Sequence, residues 1–352
     1  MKTSLMQRRS FLAAVAAGLA KFSTDVGVPV ANAQTNQGGE PGPLQVVDFH
    51  NHYVGTAFNP IVGAAAPATL KPYFDRVNQH LSDSGALLGS IEQAGIAARV
   101  VNTPLEFIQS ADDDAPPGMV ERINDQLAEL VSRHNGRLYG LATVDAYSGE
   151  AGARELTRAV RELGLRGVFV ASAKKDLFLD GVAARPTLAA AAELGVPVFA
   201  HPITDVQLGQ RLGRYGRPGT TLNRGTVNSG ALLALVESGT FDELPGLRIV
   251  VTTLAIGGIL LAAGFPEGKL RQDPALLRRH IYVDTMRIDP VLIRATLSAL
   301  GPDRVLVGTD WPIYLETNVP NRLRDALTAC GLDPAEQRMI AGGNTLKLLG
   351  VT

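Results

Sequence analysis

Residues 44–52 read Leu-Gln-Val-Val-Asp-Phe-His-Asn-His, a short apolar run that closes on polar side chains. Working outward from its strand, Leu44–His50, seven further runs of the same kind follow: Ala97–Thr103, Leu138–Asp145, Gly167–Ala171, Pro197–His201, Leu247–Thr253, His280–Asp284 and Arg304–Asp310. They are rich in Val, Ile, Leu and Phe with little polar alternation, the pattern of strands buried on both faces of a parallel sheet. Between them lie stretches of helical period: Pro117–His134, Gly149–Leu163, Arg185–Leu194, Gly230–Ser238, Pro290–Leu300 and Glu336–Leu349. Several carry Ala and Leu on one face and Arg and Glu on the other. Eight strand-then-helix units within about 300 residues predict an α/β fold, a (β/α)8 barrel. The rival is an open doubly wound sheet. No G-x-G-x-x-G or G-x-x-x-x-G-K-[ST] follows a strand, so a nucleotide crevice has no support.

Composition bounds the function. The 352 residues are 45% hydrophobic and 19% charged with a formal net charge of −1, which suits a globular core and gives no electrostatic footprint for nucleic acid. The single cysteine, Cys330, excludes an internal disulfide and any Cys-rich metal site, and reads as a small packing residue. Ahead of the barrel, Lys2, Arg8 and Arg9 precede an apolar run from Phe11 to Ala20, and Ala31-Asn32-Ala33 offers a cleavage site. That run is too short to span a bilayer. Arg8-Arg9 followed by Ser10-Phe11-Leu12 resembles a twin-arginine export signal, with Gln7 where a Ser or Thr usually stands. The expected organisation is a signal peptide over residues 1–33, a polar linker over 34–43 and one barrel domain over 44–352, exported to the periplasm or beyond. Two inserts stand out, 54–83 and 204–228. The second, rich in Gly and Arg, is expected to be a mobile loop over the barrel mouth.

In a barrel the chemistry gathers at the C-terminal ends of the strands, and the rare polar residues fall there. His50 and His52 share one side of the first strand. The fifth strand ends at His201 before Pro202, and the eighth ends at Asp310 before Trp311-Pro312. A carboxylate after an apolar strand is costly to bury unpaired, and a divalent ion held by His50, His52 and His201 would pair it. Strands one and eight are neighbours in a closed barrel, so all four groups converge. Candidate substrate contacts are Arg287 after the seventh strand, Asn102 at the end of the second, Thr253 at the end of the sixth and Trp311 beside Asp310. Lys174-Lys175 follow the fourth strand, a few residues beyond its end. Asp284 is a candidate partner for a ligand histidine, and Arg211–Arg217 a candidate attractor of anions. His80, His134 and His280 read as structural or solvated.

His-x-His after strand one, His-Pro after strand five and Gly-Thr-Asp-Trp-Pro after strand eight resemble the amidohydrolase superfamily, in the branch containing aminocarboxymuconate-semialdehyde decarboxylase. The resemblance implies one divalent ion, most often zinc, on His50, His52 and His201. It implies Asp310 as fourth ligand or near neighbour and as the general acid/base. It also implies a histidine after strand six before a glycine pair. Here Leu247–Gly258 holds none: Thr253, or Ala255 or Ile256 in another register, stands in its place. Thr253 hydrogen-bonds but is no base near neutral pH. Since decarboxylation in that branch leans on the absent histidine, the chain is expected to be an exported hydrolase. It would act on a small ester, lactone or amide through a metal-activated water. The alternatives are a non-oxidative decarboxylase of a small unsaturated or aromatic carboxylate, and a non-catalytic binding barrel. Expected partners are a small molecule, with carboxylates among the candidates, the twin-arginine machinery and, in a homodimer, a second copy. Nucleic acid and a stable membrane anchor are not expected.

Overall fold

The computed structural model describes residues 42–64, 66 and 68–351. The expected signal peptide, residues 1–33, and residues 34–41 of the expected linker lie outside them. Eight strand positions form the barrel: β1 (Val47–His52), β2 (Ala98–Asn102), β3 (Leu138–Gly140, resuming as Ala142–Thr143), β4 (Val168–Ala171), β5 (Val198–His201), β6 (Ile249–Val251), β7 (Ile281–Asp284) and β8 (Val305–Leu306). Each pairs in parallel with the next, from Val47 opposite Ala98 through Ile281 opposite Ile249 to Val283 opposite Val305. The ring closes between β1 and the segment after β8. There Phe49 N donates to Val307 O at 2.7 Å and Asp310 N donates to His50 O at 2.9 Å.

The strands are continuous apolar runs because both faces are covered. Val47, Phe49, Ala98, Val100, Leu141, Phe169, Phe199, Val250 and Leu306 fill the barrel interior. Their neighbours along each strand pack outward, as Val198 and Ala200 do around Phe199. On β5 the inward side runs Phe199 then His201, so the functional layer sits directly on the packed one. On β1 the pairing with β2 shifts register between Asp48 and Asn51. Val47 and Phe49 therefore point into the interior below the shift, while His50 and His52 face the mouth above it.

The outer helices follow their sequence cues. α1 spans Lys71–Ser82 and α2 spans Ser84–Ala94, the latter capped by Asp83, which accepts from Ala86 N at 3.0 Å. α3 (Met119–Arg133) buries Met119, Ile123, Leu127 and Leu130, one stripe at helical spacing. α4 is Glu150–Arg161 and α5 is Arg185–Leu194. α6 is the 22-residue helix Gly216–Glu237. α7 is Ile256–Ala262, α8 is Pro290–Leu300 and α9 is Val319–Ala329.

Three expectations change here. The insert 204–228 is helical, as Val206–Leu212 followed by the first half of α6, and is no loop. Two of its glycines are packing residues: a Cβ on Gly219 would overlap Leu212 O and one on Gly225 would lie 2.9 Å from Leu254 O. Insert 54–83 holds α1. The predicted helix Glu336–Leu349 is instead Pro334–Arg338, a widened turn over Met339–Gly343 and Asn344–Leu348. Backbone contact widens it, since a Cβ on Gly342 would meet Gln45 O at 2.7 Å. Among the described residues no helix is long and apolar enough to cross a membrane.

Candidate active site

His50, His52, His201 and Asp310 meet at the C-terminal mouth. One nitrogen from each histidine lies within 4.8 Å of the others, and all three rings are buried. His50 Nε2 is 3.2 Å from His52 Nε2. Asp310 Oδ1 lies 3.2 Å from His52 Nε2 and 3.5 Å from His50 Nε2. Each imidazole is anchored through its other nitrogen. His50 Nδ1 meets Asp284 Oδ2 at 2.6 Å, His52 Nδ1 meets Asn102 Oδ1 at 2.8 Å and His201 Nδ1 meets Glu106 Oε1 at 3.0 Å.

This pattern tests the fit of a metal. With each Nδ1–H donating to an oxygen, the Nε2 atoms carry lone pairs. Two such atoms facing each other at 3.2 Å repel unless a metal ion sits beside them or a proton sits on one of them. Burial, opposed only in part by Asp310 and Asn102, holds His52 below the usual imidazole range. Burial and then the Arg224 charge hold His201 well below it. Both are therefore neutral ligands near pH 7. Burial also works against protonated His50, but Asp284 and Asp310 outweigh it and raise the group. Three anchored imidazoles and a carboxylate make a fitting set for one divalent ion, and the anchors are the partners such ligands require.

Asp284 is a hub. Besides His50 it accepts from Thr253 N at 3.1 Å and Met286 N at 3.0 Å. Below the site Asp48 pairs with Arg99, and both side chains are fully buried. Thr309 N and Oγ1 donate to Asp48 at 3.0 and 2.6 Å, and Arg99 also bonds Asn51. This network ties β1 to β2 and to the segment carrying Asp310. Asp310 itself sits in the left-handed region, with φ of 61°. Non-glycine residues are held there only when their surroundings dictate it.

The other sequence candidates scatter. Asn102 is buried and orients His52. Thr253 is buried beside Asp284, using its backbone N–H. Trp311 is 2% exposed and packs in the core, its ring over Arg99 and stacked on His80. Arg287 is exposed and lies over the Tyr314 ring, 4.4 Å from its centre. Tyr314 in turn stacks with Arg217, which also bonds Tyr73 Oη at 2.7 Å. Lys174 is committed to Asp114 and Asp145, at 2.6 and 2.7 Å. His280 is structural, bonded to Leu247 O at 2.9 Å and stacked on Phe241. Sequence reasoning missed Glu106 and Arg224. Glu106 carried a weak signal, a lone acid in the apolar turn just past β2. Arg224 carried none, because its helix read as a loop.

Burial pushes Glu106 up to about 7, against the opposing pull of Arg224. An acid raised on folding contributes stability that is full below its unfolded value, near 4.5, and lost as pH rises through about 7. Metal-free protein is expected to lose melting temperature across that window, and Glu106→Gln to flatten the loss. Parallel melting profiles for the two proteins would contradict this reading.

A closed parallel barrel with a three-histidine and aspartate cluster at its mouth defines a metal-binding barrel enzyme. Residues 89–351 match the amidohydrolase family, and the chain belongs to it. It is 25% identical over 292 residues to 2-amino-3-carboxymuconate-6-semialdehyde decarboxylase of Dictyostelium discoideum, covering 79% of this chain and 80% of that protein. It is 27% identical over 282 residues to gamma-resorcylate decarboxylase of Polaromonas sp., covering 73% and 84%. Its fold matches 5-carboxyvanillate decarboxylase from Sphingomonas paucimobilis with a TM-score of 0.73 and 22% identity, covering 88% of this chain and 100% of the other. These similarities overturn the hydrolase expectation. The relatives are decarboxylases, although Leu247–Gly258 around the end of β6 holds no histidine in this chain.

Proposed function

We propose that this protein is a divalent-metal-dependent carboxy-lyase that removes CO2 without oxidation from a small aromatic or unsaturated carboxylate. The convergence of His50, His52, His201 and Asp310, in a chain whose relatives are decarboxylases, carries the reading. A divalent ion on these four residues supplies a positive charge that anchors an anionic substrate and draws electron density from it. Its nitrogen-rich ligand set suits zinc. Manganese is bound in two structural neighbours, and elemental analysis of protein purified without chelator decides between them.

The protein's own groups divide the remaining work. Asp284 and Glu106 are occupied in holding histidines. Asp310 has an open edge, 14% exposed against 0% for Asp284, and unlike Glu106, at 11%, it is not spent on anchoring an Nδ1. Burial works against its charge, but His50 and His52 outweigh burial and hold it below the usual carboxylate range. Asp310 therefore rests as the anion and is placed to take a proton from the substrate's acidic O–H or from water and pass it to the carbon that loses CO2. The C–C bond breaks, its electron pair stays on that carbon, and the proton from Asp310 closes the valence. Phe107 and Phe169 flank His52, with ring centres 5.0 and 6.0 Å away, and keep this wall dry. Metal-loaded protein is expected to release CO2 from at least one member of a panel of hydroxybenzoates and unsaturated dicarboxylates. It is expected to leave aryl esters and lactones intact. Ester or lactone cleavage without any CO2 release sinks the proposal.

A further inference from the structure

From Ile249 to Gly258, across the end of β6, the chain carries no ionisable side chain. The side of the mouth between β5 and β6 is served instead by α6. That helix is fixed there residue by residue. Asn223 Oδ1 accepts from Asp205 N at 2.9 Å, and its Nδ2 donates to Asp205 O at 2.8 Å. Asn228 Nδ2 donates to Ala200 O at 2.9 Å, and its Oδ1 accepts from Thr252 Oγ1 at 2.9 Å. Ser229 Oγ donates to Ala255 O at 2.9 Å. Gly225 permits the approach, since any Cβ would press on Leu254 O.

Amid these anchors Arg224 makes none. Its side chain is half-buried, and among the described residues it forms no ion pair with a carboxylate within 4.0 Å. One guanidinium nitrogen instead lies 3.4 Å from His201 Nε2, the atom turned toward the ligand cluster. An arginine with five donors in a sheltered site needs an acceptor, and an imidazole lone pair that ligates a cation does not serve as one. A guanidinium and a divalent ion this near each other repel unless an anion lies between them.

We infer that Arg224 is the residue that grips the substrate carboxylate, placing it between the guanidinium and the ion held by the three histidines. This rests on the carboxy-lyase reading for the identity of the anion. Arg224 thus supplies, from the helix after β5, the polar contact that the end of β6 lacks. The fork geometry favours a planar carboxylate over a spherical ion.

The test is calorimetric binding of benzoate and of resorcinol, a neutral ring without a carboxylate, to metal-loaded wild type, Arg224→Met and Arg224→Lys, with metal content measured for each. Arg224→Met is expected to keep its metal and its resorcinol affinity and to bind benzoate about 10- to 100-fold more weakly, the range for losing a charge-assisted pair. Arg224→Lys is expected to fall between, and it decides the matter if Arg224→Met does not fold. Equal benzoate affinity in all three proteins, no benzoate binding to wild type, or loss of metal from both variants would overturn the inference. The outcomes separate the two claims. Selective loss of benzoate binding with no CO2 release from any carboxylate leaves Arg224 assigned and the carboxy-lyase reading refuted. Unchanged benzoate binding alongside CO2 release does the reverse.

Discussion

Asp310→Asn is expected to cut CO2 release by about 10²- to 10⁴-fold, the usual worth of a positioned proton donor, while the protein stays folded. Asparagine has nearly the same shape and tolerates the left-handed backbone that Asp310 adopts, with φ of 61°. The bond from residue 310 N to His50 O at 2.9 Å is a backbone contact and survives the change. What disappears is the negative charge beside His50 and His52, and with it the group that takes up and passes on the proton. Three anchored histidines remain, so metal content is expected to fall only in part. Turnover measured at saturating metal separates proton delivery from metal loss. Activity within tenfold of wild type under that condition would remove Asp310 from the chemistry.

Arg99→Met is expected to destabilise the protein by about 3–5 kcal/mol, the cost of leaving a buried charge unpaired. Arg99 and Asp48 are both fully buried, and Asp48 would keep only Thr309 and backbone donors. The double variant Asp48→Leu/Arg99→Met removes both charges and is expected to recover much of the loss, because apolar replacement of a buried pair is often near neutral. Urea denaturation of the metal-free proteins reads the difference. A single variant within about 1 kcal/mol of wild type would mean that water reaches this pair. The consequence extends to the site, since the same network joins the strand bearing His50 and His52 to the segment bearing Asp310.

Much of this arrangement was legible in the residues. Buried parallel strands leave long apolar runs, so all eight strand positions could be read, and His50, His52, His201 and Asp310 stood where those runs end. The ragged edges could not be read. β3 is interrupted at Leu141, which fills the interior, and β8 pairs over only Val305–Leu306 before single bridges take over. The first half of α6 was hidden because Gly219 and Gly225 serve close packing, and glycine in sequence looks the same in a tight helix contact as in a loop. Glu106 and Arg224 reach the mouth from a turn and a helix, where no strand period announces them. Asn102 and Thr253 read as substrate contacts, yet their visible bonds run to His52 and Asp284. Polarity at a strand end signals the site without saying which way the side chain turns. The reaction was misread for a related reason: the absent histidine after β6 was weighed, while the arginine on α6 beside His201 was out of sight.

The most direct test of a metal-dependent carboxy-lyase is CO2 release in D2O, with elemental analysis, for wild type and His201→Ala. Wild type is expected to hold about one equivalent of divalent ion and to give a product carrying one deuteron at the carbon that lost its carboxylate, and the variant to show neither metal nor product. Full turnover by metal-free protein, or by His201→Ala, would contradict metal dependence.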